Sequence, residues 1–192
     1  FNRHSLRVTL DGNASLVNEG YWGMAVEKGK GYTFRCAARV DDGFKGPLQI
    51  VVRSKQGAEL ARASIEGFGE NWKTFTANLT ATATDPKASL ALELQGSGRV
   101  WLDMVSVMPK ETWKDHGLRP DLCEKIAALK PSFLRFPGGC WVEGEDMSRM
   151  YHWKKTIGDI SHREPLWNIW DYWATHGLGF HESFAERHRA RD

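Results

Sequence analysis

The chain has 192 residues, 41% of them hydrophobic, nine tryptophans and a net charge of +2. This length is typical of one or two domains. The charges are interspersed without a basic stripe, and no apolar run reaches the ~18 residues that a membrane-spanning helix needs, so neither a nucleic-acid partner nor a membrane partner is predicted.

From Leu6 to Met108 the sequence alternates between apolar and polar residues, most clearly over residues 32–40. A period of two indicates a strand with one buried face. Turn signals separate the alternating stretches, at residues 41–46, 67–71 and 96–98. Eight or nine short strands of this kind predict a mainly β fold, a jelly-roll β-sandwich over residues 1–109.

After Pro109 the apolar period becomes helical. Pro120 suits the first turn of a helix and Pro131 ends it. A short strand over residues 132–136 and a glycine loop follow, which predicts that residues 110–192 are an α/β fragment. The long aperiodic stretch from Glu143 to Gly179 is rich in aromatic residues, and a loop of that length in a compact domain is usually functional or disordered.

Three cysteines, Cys36, Cys123 and Cys140, show no CxxC spacing, so a zinc or redox site is not predicted. The HExxH, GxSxG and phosphate-loop motifs are also missing, which argues against a zinc protease, an esterase and a kinase.

Four motifs of the second region carry a family resemblance. They are RFPGGC at residues 135–140, WVEG at 141–144, WKKTIG at 153–158 and YWATHGLGFHE at 172–182. Together they resemble the early (β/α)8 barrel of the glycoside hydrolase family 51 α-L-arabinofuranosidases. The stretch from Leu6 to Pro109, with NEGYWG and WLDMVSVMP, is similar to a carbohydrate-binding-like sandwich inserted before that barrel in one branch of the family. The resemblance therefore implies an internal fragment of a glycosidase, whose barrel alone takes about 250 residues.

The resemblance implies substrate-binding roles for Arg135, Gly139, Cys140 and Trp153. Glycine allows the backbone to approach a ligand closely, and arginine can hold a carboxylate in a bidentate pair. From the residues alone, a structural salt bridge for Arg135 and a core position for Trp153 are the simpler interpretations.

A retaining glycosidase uses two carboxylates about 5 Å apart. The resemblance places both catalytic glutamates past residue 192, so this chain contains no catalytic residue and is expected to be inactive alone, with no cofactor for catalysis. Glu19 follows an asparagine as the family's acid/base does, but it belongs to the sandwich. The spacing of the acids on the barrel side selects no pair among Glu143, Glu145, Asp146, Asp159, Glu164, Asp171 and Glu182.

The sandwich offers two further candidate sites. Tyr21 and Trp22 are a possible sugar platform, whereas Trp72 and Trp101 stand beside apolar strand residues and are expected in the core. Asp103 matches a carboxylate on the last strand of similar modules and is a candidate ligand of a structural calcium, which prefers oxygen ligands. A solvated strand acid is the alternative for Asp103.

The expected partner is a plant cell-wall carbohydrate that contains arabinose, with an extracellular or periplasmic location favoured for the parent enzyme. Self-association through exposed barrel surface is a further expectation. A stand-alone carbohydrate-binding module with a C-terminal docking or linker segment is the alternative, and residues 131–179 distinguish the two because a linker has no need of RFPGGC or WKKTIG.

Overall fold

A computed structural model describes residues 4–41, 43–115, 117–133, 139–171 and 173–174. Residues Ser5–Pro120 form one compact unit, and the chain from Asp121 onward belongs to a second. The first unit extends past the boundary that the sequence predicts after residue 109. Its added segment is tied back to β-structure, because the Lys110 amide donates to the carbonyl of Gly31 at 2.9 Å and Lys30 pairs with Glu111 at 2.5 Å.

The first unit is built from β-strands, which confirms the predicted mainly β class. Its described residues contain seven strands where eight or nine were expected. They are β1 (Leu6–Asn18), β2 (Met24–Val26), β3 (Gly31–Val40), β4 (Leu48–Arg53), β5 (Glu59–Ile65), β6 (Lys73–Thr80) and β7 (Asp85–Pro109). A short 3-10 helix, Trp113–Asp115, follows β7.

The 25-residue strand β7 connects the sheet. Its first half pairs with β4 and its second half with β3, while β1 runs antiparallel along both halves. The resulting order is β5-β4-β7-β3-β6. Beyond β6, the Thr82 amide donates to the carbonyl of Leu60 on β5 at 2.8 Å, so the two ends of the sheet approach each other and the sheet is barrel-like.

The core lies between the two halves of this curved sheet. On β3 every second residue is buried, as the alternation predicts, and Phe34 and Cys36 are fully inaccessible. Strands β4 and β7 add their own apolar faces, Leu48, Ile50 and Val52 with Leu90, Leu92 and Leu94. Burial raises the pKa of the Cys36 thiol to about 12, so this cysteine is a neutral packing residue.

Gly96 and Gly98 lie inside β7, so the turn predicted at residues 96–98 is wrong. Both have positive φ angles, +126° and +121°. They occupy the stretch between the β4-paired and β3-paired halves, where glycine permits a backbone conformation that other residues rarely adopt. A Cβ on Gly98 would lie 2.5 Å from the Phe44 amide nitrogen, whereas a Cβ on Gly96 would meet nothing within 4 Å.

We expect Gly98→Ala to destabilise the sandwich more than Gly96→Ala. Both variants strain the backbone, at roughly 1–3 kcal/mol each, but only the first also collides with the backbone of Phe44. Thermal unfolding of the two variants measures the difference. Equal melting temperatures would mean that the close packing of Gly98 against the Phe44 backbone does not contribute to stability.

Helix α1 starts at Pro120, as predicted, and ends at Ala128, so all of it except Pro120 belongs to the second unit. Cys123 is buried, but Leu122 and Ile126 are about half exposed and Leu129 and Phe133 are largely exposed. The apolar face that predicts the helix is therefore uncovered within the described part of the chain, and self-association through this surface stays a prediction. Of the predicted strand over 132–136, residues 134–136 lie outside the described residues.

Short elements make up the rest of this unit. They are α2 (Gly139–Glu143), the 3-10 helices Trp153–Thr156 and Ile160–His162, and the two-residue strands β8 (Leu166–Trp167) and β9 (Trp173–Ala174), which pair with each other. In the part of the chain that the structure describes, no helix has the length and apolar character needed to cross a membrane.

Candidate functional site

A cavity of about 200 Å³ opens in the second unit. It lies within the aromatic-rich stretch that the sequence analysis identified as an aperiodic loop. Its lining combines aromatic, charged and hydroxyl side chains, namely Trp141, Ser148, Tyr151, His152, Lys155, Thr156, Glu164, Pro165, Leu166 and Trp167.

Trp141 on α2 organises the aromatic wall of this cavity. Its ring stacks on Trp170 with centroids 5.9 Å apart and planes 19° apart, and it meets the Tyr151 ring at 6.2 Å. The Tyr151 amide donates to the carbonyl of Val142 at 3.2 Å, which holds the chain against α2. Among the described residues, the buried Trp141 Nε1 atom has no hydrogen-bond partner, which is unusual for a buried polar group.

The turn between α2 and Tyr151 needs a glycine. Gly144 has a φ of +63°, and a Cβ there would lie 2.5 Å from the Met150 amide nitrogen. This close contact folds residues 144–150 back on themselves and places Tyr151 beside Trp141. The glycine of the WVEG motif therefore has a structural reason that the sequence alone did not supply.

Buried polar groups support the cavity from beneath. The Tyr151 hydroxyl donates to Thr156 Oγ1 at 3.4 Å, and Thr156 Oγ1 donates to the carbonyl of Trp153 at 2.7 Å. The nearly buried Arg163 donates from two nitrogens to the carbonyl of Gly158, at 3.0 and 2.7 Å. These bonds fix the loop that carries the cavity residues, because a buried polar group left unpaired costs about 1–3 kcal/mol.

Charged groups surround the rim. Lys155 and Glu164 form an ion pair at 2.6 Å, with both side chains about half exposed. His152 Nε2 lies 2.9 Å from the carbonyl of Met147, and since a carbonyl only accepts, this nitrogen carries the proton. Nearby, the Ser148 hydroxyl and amide hydrogen-bond Asp146 and hold the pKa of its carboxyl below the usual value.

The lining of this cavity has the features of a small binding site. Ligand pockets of about 300–1,000 Å³ are usual, so a cavity of about 200 Å³ suits one small ring at most. Among the lining residues only Glu164 carries a carboxylate, whereas retaining glycoside hydrolysis needs two. A ring of aromatic faces with polar groups at the edge is suited to a sugar, which has both apolar faces and hydroxyl edges.

The predicted substrate-binding residues lie in several places. Arg135 lies outside the described residues. Gly139 and Cys140 are the exposed first residues of α2, next to Trp141. Trp153 is 48% exposed, does not line the cavity and has the Lys154 ammonium 5.7 Å from its ring centre. Sequence reasoning missed Trp141, Tyr151 and Trp167, and the high aromatic content of the loop was the signal that pointed to them.

The predicted sugar platform of the sandwich is fully open. Tyr21 and Trp22 are 89% and 83% exposed and meet edge to face with centroids 4.8 Å apart. Trp72 and Trp101, which were expected in the core, lie instead on the outer face of the sheet beside Arg39. The hydrophobic core is formed without them.

Asp103 has a local structural role. Its Oδ1 accepts from the amide of Met104 at 2.7 Å, next to an irregularity in the pairing of β3 with β7 where Met104 has a φ of +50°. Among the described residues no three or more His, Cys, Asp or Glu side chains are grouped to hold a metal ion. The calcium assignment of Asp103 stays a prediction.

Comparisons with known proteins identify relatives for both units. A family model described as the α-L-arabinofuranosidase 1 domain matches residues 125–189. α-L-Arabinofuranosidase 1 of Arabidopsis thaliana is 39% identical over 96% of this chain, which covers 29% of that protein. An extracellular exo-α-L-arabinofuranosidase of Streptomyces chartreusis is 37% identical over 95% of the chain, which covers 23% of it.

A solved structure agrees with these matches. The arabinose-bound MgGH51 α-L-arabinofuranosidase superposes with a TM-score of 0.82 and 28% identity, over 95% of this chain and 32% of that one. The similarity spans the sandwich and the α/β segment, which confirms the predicted fold class. In sequence and fold the chain therefore corresponds to a segment of the α-L-arabinofuranosidases of glycoside hydrolase family 51, of whose length it spans less than a third.

Proposed function

We propose that this chain is the part of an α-L-arabinofuranosidase that carries a β-sandwich and one wall of the substrate-binding site. The whole enzyme would release non-reducing terminal α-L-arabinofuranosyl residues from arabinan, arabinoxylan or arabino-oligosaccharides. The similarity to the arabinose-bound structure over 95% of the chain is the observation that carries this proposal. The extracellular relative supports a location outside the cell.

In this proposal the described residues bind and orient the sugar and do not transform it. The exposed start of α2 presents Gly139 and Cys140 to the substrate, and the ring contacts of Trp141 with Tyr151 and Trp170 keep α2 in place. Arg135, immediately before the glycine loop, supplies the cationic contact. A retaining mechanism needs a nucleophile and an acid/base 5–5.5 Å apart, and both would come from parts of the parent enzyme outside this chain.

The chain alone is expected to have no turnover on p-nitrophenyl α-L-arabinofuranoside. Proton donation and covalent trapping of the sugar supply much of the rate, and neither is available without the carboxylate pair. Release of nitrophenolate by the purified chain measures this directly. Turnover that disappears in the Glu164→Gln variant, and not in Glu145→Gln, would show a catalytic site in this chain and contradict the proposal.

The exposure of Tyr21 and Trp22 favours a second function, binding of a neutral arabinose polysaccharide by the sandwich. Two large rings open to solvent offer an apolar stacking surface for the faces of sugar rings. We expect arabinoxylan oligosaccharides to give a saturable change in tryptophan fluorescence, and Trp22→Ala to abolish it. A flat titration at millimolar oligosaccharide would remove this function.

A further inference from the structure

One row of side chains crosses the outer face of the sheet in the first unit. Arg7 on β1 and Arg39 on β3 both lie directly opposite Trp101 on β7. Directly opposite residues of antiparallel strands share a face, and the burial of Ala38 and Val40 on either side of Arg39 shows that this face is the outer one.

The row continues to a second indole. The Arg39 guanidinium carbon lies 4.0 Å from the centre of the Trp101 ring and 5.6 Å from that of Trp72, which is 47% exposed. Arg7, Trp101, Arg39 and Trp72 thus alternate across the sheet, and we name them the Arg–Trp strip. Stacking on indole faces fixes the plane of a guanidinium and reduces the entropy lost when it binds a ligand.

Within the part of the chain that the structure describes, the two arginines of the strip have no ion-pair partner. Other arginines of the sandwich are ion-paired, Arg53 with Glu93, Arg62 with Glu59 and Arg99 with Asp41. For Arg7 and Arg39, no carboxylate of the described residues lies within ion-pairing distance. Arg53 shows the contrast. Its side chain hydrogen-bonds Glu93 and lowers the pKa of that carboxyl, so the positive charge of Arg53 is balanced by the negative charge of Glu93.

We propose that the Arg–Trp strip binds an acidic glycan through the carboxylates of its uronic acid residues. Guanidinium groups match carboxylates in bidentate pairs, and indole faces stack on sugar rings, so alternation of the two suits a chain of charged sugars. Charge complementarity selects this occupant, because two cations without an ion pair among the described residues favour an anionic ligand over a neutral one. The strip is independent of the proposed arabinofuranosidase activity, whose arabinose units carry no charge.

Calorimetric titration of the full chain with a galacturonate hexamer, and with the same hexamer fully methyl-esterified, tests this proposal. Saturable binding is expected for the acid and not for the ester. Arg7→Gln should weaken binding about fivefold, near the upper end for an exposed ion pair. Lys28→Gln, which removes an exposed cation from the loop before β3, is the matched control and should bind like the unchanged chain.

Several results would overturn the proposal. They are equal binding of acid and ester, no binding of either, or an Arg7→Gln variant whose affinity matches that of Lys28→Gln. Equal affinity for a single-stranded oligonucleotide of the same charge would show general adsorption of polyanions instead of glycan recognition. Arg39→Gln also removes packing against Trp101, so Arg7→Gln, whose side chain is exposed, keeps the test independent of folding.

Discussion

Replacing Phe34 by alanine should lower the free energy of unfolding of the sandwich by about 3–5 kcal/mol. Phe34 is fully buried at the centre of β3, opposite Ala77 on β6 and Val107 on β7. Removing its ring loses the free energy gained by burying that apolar surface and leaves a cavity in the hydrophobic core. Whole domains are stable by only about 5–15 kcal/mol, so much of the stability would be lost.

Urea unfolding followed by near-ultraviolet circular dichroism measures this effect. Thr33→Ala is the matched control, because Thr33 is the adjacent residue on β3 and its side chain faces outward. A surface substitution of that kind is expected to change stability by no more than about 0.5 kcal/mol. Similar midpoints for the two variants would mean that Phe34 is not a central core residue.

The sequence predicts β3 well because alternation is a local property. Five apolar residues at every second position place one face of β3 in the core, and this pattern can be read without knowing which strands pair with β3. Strand β7 shows the limit of this reasoning. Read as a local sequence pattern, its glycines Gly96 and Gly98 predict a turn, although they lie inside the strand. The pairing of Gly96 with Gly12 and of Gly98 with Leu10 on β1 keeps the strand continuous there, and such non-local pairing leaves no local signal.

The tryptophans of the sandwich show a second limit. Trp101 looks like a core residue because Val100 and Leu102 flank it in sequence, whereas Trp72 stands between Asn71 and Lys73 and has no such local support for a core position. In the structure Arg39 packs between them on the outer face, so cation–π contact takes the place of burial in the core. A period-two pattern does not reveal which face a large amphipathic ring will occupy.

The candidate site also has parts that the sequence predicts and parts that it does not. The glycine loop and the WKKTIG segment are identified by resemblance, because their motifs are contiguous in sequence. The cavity brings together residues from 141 to 167 without a period, so only its aromatic composition could be predicted. Its walls depend on the turn at Gly144 and on the buried bonds of Thr156 and Arg163, which are tertiary features.

The second large effect concerns Arg135. We consider a hybrid enzyme in which this chain replaces the matched segment of the Arabidopsis α-L-arabinofuranosidase. Arg135→Ala in that hybrid should lower kcat/KM at least about 30-fold, because the role proposed for Arg135 is a charged hydrogen bond to the substrate, and removing one partner of such a bond in a desolvated site costs about 2–5 kcal/mol. Lys125→Ala, on the exposed side of α1, is the control and should leave kcat/KM unchanged. If Arg135→Ala and Lys125→Ala leave the same kcat/KM in the hybrid, Arg135 has no role in substrate binding.

Turnover of p-nitrophenyl α-L-arabinofuranoside by the unmodified hybrid tests the central claim most directly. The hybrid takes its sandwich and α/β segment from this chain and all other segments from the Arabidopsis protein, including the catalytic glutamates that we propose lie outside this chain. If this chain is an arabinofuranosidase segment, the hybrid should hydrolyse the substrate while the chain alone does not. A hybrid that folds, as judged by cooperative thermal unfolding, and yet releases no nitrophenolate would contradict the claim.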